Sequence, residues 1–101
     1  MPYIENARFD SKQNAIRINV RYRGGCSTHQ FRLETNPCRE SFPVQCDSEL
    51  IDLTVDDSCK RLVKKTILIS LKDAELDTDY YRGASITLKG SGGSKRLVVL
   101  P

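Results

Sequence analysis

Apolar residues in this sequence recur at every second position, in short runs, and nowhere hold helical spacing for three turns. The clearest run is Ala15 to Arg23. There Ile16, Ile18, Val20 and Tyr22 alternate with Arg17, Asn19, Arg21 and Arg23. Period two describes a strand with one face buried and one face wet. The same alternation predicts a strand over Thr28 to Glu34, with His29, Phe31 and Leu33 on one side. It predicts another over Ser48 to Val55, with Ile51, Leu53 and Val55 inward against Asp52 and Thr54. A longer one runs from Arg61 to Leu71, with Val63, Ile67, Ile69 and Leu71 together and some apolar surface at Leu62 and Leu68 on the other face.

Turn residues punctuate these runs. Asp10-Ser11-Lys12-Gln13-Asn14 follows a first strand over Tyr3 to Asp10. Its apolar face (Tyr3, Ala7, Phe9) is broken by Glu5, which suits a sheet edge. Gly24-Gly25 ends the second run, and the third is expected to pair with it antiparallel. Asn36-Pro37 closes the third run, and Asp56-Asp57-Ser58 forms a later turn. Lys72 to Tyr81 loses the alternation and has room for one helical turn around Ala74-Glu75-Leu76. Ala84 to Lys89 and Lys95 to Leu100 make a hairpin around a flexible Gly90–Ser94 loop. Residues 1–101 thus form one all-β domain. The expected architecture is an antiparallel, immunoglobulin-like sandwich of about seven strands, with a small barrel as the alternative.

The cysteines add a geometric constraint. Cys26, Cys38, Cys46 and Cys59 allow three pairings. If consecutive strands run antiparallel, successive connections lie at opposite ends of the sandwich. Cys26 and Cys59 then share one end, and Cys38 and Cys46 the other. Strands of this length separate the ends by about 25 Å, whereas a disulfide tolerates about 7 Å between Cα atoms. The pairing is therefore Cys26–Cys59 and Cys38–Cys46. An even cysteine count in a small domain also favours an oxidising compartment. The expectation is an extracytoplasmic domain, periplasmic, lipid-anchored or secreted, whose leader segment is absent from this sequence. No apolar run is long enough for a transmembrane helix.

Charge excludes less. Sixteen basic and thirteen acidic residues leave +3, spread along the chain, which disfavours nucleic acid as a partner. Arg17, Arg21, Arg23 and Arg32 would share an exposed face if the second and third strands were neighbours, giving a possible basic patch. Asp73, Glu75, Asp77 and Asp79 alternate, but Thr78 stands where a calcium loop needs its turn glycine. No cofactor motif, paired catalytic carboxylates or nucleophile elbow is recognisable.

The stretch Gly24-Gly25-Cys26-Ser27-Thr28-His29 concentrates the chemistry. Cys26-x-x-His29 has metal-ligand spacing, but no second such element completes a tetrahedral site. A metal-binding protein using Cys26 and His29 is kept as an alternative. As a base, His29 would need a nucleophile and an orienting carboxylate. Its position beside Phe31 and Leu33 instead suits a packed structural histidine that holds the Gly24-Gly25-Cys26 turn.

The pattern Gly24-Gly25-Cys26-x-x-His29-x-Phe31, then Glu40-Ser41-x-Pro43, then Asp57-x-Cys59 resembles a small extracytoplasmic bacterial domain of lipoproteins and secreted proteins. The likeness spans roughly Val20 to Leu71. It implies a Cys26–Cys59 bridge and no catalytic role. The second pair, Cys38 and Cys46, departs from the pattern. The expected function is a non-enzymatic binding or structural module whose partner is another protein or an envelope component. The alternative is a secreted inhibitor that inserts the Cys38–Cys46 loop, with Arg39, Glu40 and Phe42, into an enzyme's cleft.

Overall fold

The computed structural model describes residues 2–101. Seven strands form two sheets: β1 (Tyr3–Asp10), β2 (Ala15–Gly24), β3 (Phe31–Thr35), β4 (Gln45–Asp52), β5 (Arg61–Ser70), β6 (Ser85–Lys89) and β7 (Lys95–Val99). The first sheet has the order β1-β2-β5 and the second β3-β4-β6-β7. This is an all-β sandwich, not a closed barrel. Four pairings are antiparallel, and β4 against β6 is parallel.

The alternation explains the core. Ile16, Ile18 and Val20 of β2 stand opposite Ile69, Ile67 and Lys65 of β5, and the isoleucines are buried against the second sheet. Leu33, Leu50, Ile86, Leu88 and Val98 come from that other sheet. Burying such a side chain contributes about 1.5–3 kcal/mol relative to leaving it in water. Strand β1 lies at an edge, as the broken face suggested, and Glu5 is where its register with β2 slips. The bulge reverses the phase. Ile4, not Tyr3, points inward with Ala7 and Phe9, and Tyr3 lies outside beneath the Arg21 guanidinium at 4.1 Å.

Four further expectations fail for physical reasons. Strands β2 and β3 do not pair; the chain leaves one sheet at Gly24 and enters the other at Phe31, so Thr28 to Gln30 are connection. Strand β4 begins earlier and in the opposite phase. Cys46, Ser48 and Leu50 point inward, while Leu53 and Val55 are exposed past its end. The inward polar residue Ser48 hid this phase; its hydroxyl is satisfied by Thr35 Oγ1 at 2.8 Å. The stretch around Ala74-Glu75-Leu76 is a tight turn with Glu75 at φ 59°, and one turn of 3-10 helix follows at Asp79–Tyr81. Finally, Gly90–Ser94 is not a loose loop. Ser94 is buried, and its hydroxyl oxygen accepts the Ile4 amide at 3.1 Å and donates to the Ser91 carbonyl.

Candidate functional site

Two connections between the sheets meet at one end of the sandwich. One runs from Gly24 to Phe31, the other from Asp52 to Arg61, and the Cys26–Cys59 disulfide joins them with Cα atoms 5.6 Å apart. The second disulfide, Cys38–Cys46, has Cα atoms 4.3 Å apart, so both pairings match the argument from strand parity.

Asp57 organises the first end. Its Oδ2 accepts the Gly25 amide at 3.0 Å and its Oδ1 accepts those of Cys26 at 3.3 Å and Cys59 at 3.1 Å. One carboxylate thus gathers backbone donors from both connections, and its side chain is nearly buried. The tight turn explains the glycines. Gly25 has φ +108°, where a side chain is strained, and a Cβ on Gly24 would come within 2.6 Å of Asp57 Oδ2 and 2.9 Å of His29 Nε2. Arg61 closes the turn from outside by donating to the Gly25 carbonyl at 2.7 Å.

His29 lies beneath. Its Nε2 is 2.7 Å from Asp57 Oδ2 and its Nδ1 is 2.5 Å from Asp52 Oδ2, with the Tyr22 ring packed against it at 4.3 Å. Burial alone would push the imidazole down, but the hydrogen bonds and charges of Asp57 and Asp52 outweigh it and hold His29 above its ordinary value. The bond from His29, with the backbone amides of Cys59, Cys26 and Gly25, outweighs burial and holds Asp57 down at about 2. Burial and the same two carboxylates push the Tyr22 hydroxyl up. The result is a buried imidazolium between two carboxylates, each of which also binds backbone: Asp57 as above, Asp52 through the Thr54 amide at 3.0 Å.

This arrangement can hold a proton firmly but offers no ring nitrogen to a reactant, because both face carboxylates. The nearby Ser27 hydroxyl donates to the Asp56 carbonyl at 2.9 Å instead of to the imidazole. Cys26, Asp57 and Cys59 place donor atoms within 4.8 Å of one another, yet the two sulfurs are bonded together and present no thiolate. His29 is buried and packed, and it reaches the glycine turn through Asp57 and not directly. Asp57 and Asp52 carry the site; the sequence shows Asp57 only as a turn residue and a member of the Asp57-x-Cys59 pattern, and Asp52 only as a solvent-facing strand residue. The Asp57-x-Cys59 spacing, an aspartate bonding the amide two residues on, was the available signal.

At the other end, Arg39, Glu40 and Phe42 are all exposed on the Cys38–Cys46 loop. Arg39 and Gln45 form an isolated antiparallel bridge, and the Arg39 guanidinium reaches Asp47 at 3.3 Å. The four arginines do not form one patch. Arg17, Arg21 and Arg23 line the outside of β2, but Arg32 belongs to the opposite sheet, where it pairs with Glu34. No helix among the described residues is long and apolar enough to cross a membrane. Comparison with protein-family models, with curated proteins and with solved structures finds no match to this chain.

Proposed function

We propose that the chain is a non-enzymatic, extracytoplasmic binding module whose contact element is the Cys38–Cys46 loop. The observation that carries this reading is Phe42, a residue fully exposed at 104% of its reference area. A large aromatic in water is a feature of contact surfaces, where aromatics supply much of the binding energy. The loop is pre-organised by its disulfide, by the Arg39–Gln45 bridge and by the Ser41 hydroxyl bonding the Pro43 carbonyl at 2.8 Å. Little freedom then remains to be lost on binding. The engaged nitrogens of His29 support a structural and not a catalytic role for the most reactive cluster. Two disulfides with no free cysteine support an oxidising compartment.

The test compares the intact protein with Phe42→Ala as bait in a bacterial envelope extract. A partner held by wild type and lost, at least tenfold, from the variant is the expected result. Identical capture by both proteins removes the loop as contact element. The exposed loop tip also favours the inhibitor reading, in which the captured partner is an enzyme. That version requires the partner's activity to fall on titration with the wild-type chain and to persist with Phe42→Ala.

A further inference from the structure

The outer face of the three-stranded sheet is cationic, and the register fixes its members. On β2 the outward residues are Arg17, Asn19, Arg21 and Arg23; opposite them on β5 stand Leu68, Thr66, Lys64 and Leu62. Across the other edge, Arg8 stands opposite Arg17 and Tyr3 opposite Arg21. Asn19 and Thr66 confirm the shared face by a 2.9 Å side-chain hydrogen bond. Arg17 is held by Asp10 at 2.7 Å, but among the described residues Arg8, Arg21, Arg23 and Lys64 have no carboxylate partner. Glu5, at the bulge, lines the same hollow as Lys64 and offsets part of that charge.

Two further residues on this face are apolar. Leu62 is 50% exposed and Leu68 is 47% exposed, at opposite ends of β5. The face is open and runs about 20 Å along β2 from Arg17 to Arg23. We propose that it docks on an anionic lipid surface. Unpaired cations complement a layer of negative headgroups, each contributing through a field that salt screens. Leucines beside the cations at both ends of the face have nothing to gain from a soluble polyanion, but at a bilayer they enter the boundary between headgroups and acyl chains. Tyr3, with its ring under Arg21, has the aromatic body and polar tip suited to that boundary. This surface is separate from the Cys38–Cys46 loop and does not depend on it.

The intact chain is sedimented with vesicles of phosphatidylcholine, with and without phosphatidylglycerol. Binding is expected only where phosphatidylglycerol is present, and it weakens as salt is raised. Each of Arg21→Gln and Lys64→Gln lowers partitioning by about fivefold, and the pair by more. Arg32→Gln, on the other sheet, leaves it unchanged. Leu62→Ser with Leu68→Ser lowers the part that persists at high salt. Thermal unfolding checks that each surface variant is folded. The proposal is overturned if the chain ignores phosphatidylglycerol, or if Arg32→Gln weakens binding as much as Arg21→Gln. It is also overturned if a soluble acidic polysaccharide displaces the chain fully and the leucine variant binds like wild type, which assigns the face to a polyanion in solution.

Discussion

At the scale of single residues, His29 and Asp57 set a pH window. The native state holds the His29 proton more tightly than the unfolded chain does. Its contribution is therefore complete below the ordinary value of 6.5 and is lost as pH rises through the higher native value. Asp57 acts with the opposite sign. Held at about 2 against an ordinary 3.8, it stabilises the fold above pH 3.8 and loses that contribution as pH falls through 2. Urea midpoints should be highest between these limits and decline on both sides. His29→Ala should abolish the alkaline decline and cost about 3 kcal/mol, because it leaves two carboxylates facing each other without their cation. An unchanged alkaline limb in that variant would remove His29 as the titrating group. The sequence showed that this histidine belongs to the core side of the glycine turn. It did not show the partners, which lie 23 and 28 residues away and meet it only when the two connections cross.

At the scale of the element, β4 shows why alternation alone misleads. Ile51, Leu53 and Val55 make a convincing apolar face on paper, yet the inward residues are Cys46, Ser48 and Leu50. A buried serine and a cysteine committed to a disulfide lack the apolar signature that the period-two reading follows. The same misreading placed Asp52 in solvent, when its carboxylate faces His29. Strands whose inward residues are all aliphatic or aromatic, β2 and the far half of β5, are legible almost to the residue. The register predicts unequal costs. Leu50→Ala should destabilise by about 2–5 kcal/mol. Leu53→Ser and Val55→Ser, past the end of the strand, should stay within about 0.5 kcal/mol. Chemical denaturation of the three variants decides it, and a large loss at Val55 would contradict the observed phase.

For the whole molecule, the disulfides were readable because parity survives an error in pairing. Strands β2 and β3 lie in different sheets, but successive connections still alternate between ends, so Cys26 meets Cys59. The partition into sheets was not readable, because nothing local distinguishes a hairpin turn from a crossing between layers. That partition separates Arg32 from the other arginines. Replacing both Cys26 and Cys59 by Ser should lower stability by about 2–4 kcal/mol, read from the shift in urea midpoint at constant slope. A thiol assay on the denatured wild type should find no free thiol.

The parallel pairing of β4 with β6 also bears on how the chain reaches this state. Strand β5 comes between them in sequence and belongs to the other sheet, so neighbours along the chain cannot zip this contact together. The Ile4 amide likewise waits for a hydroxyl 90 residues away. Loop-closure entropy must be met before either contact returns any energy, which places the chain among slow folders of non-local topology. The order of oxidation follows. Cys38 and Cys46, eight residues apart, can be joined while the chain is still largely open. Cys26 and Cys59 are brought together reliably only once both layers have assembled, and their bond records the completed fold.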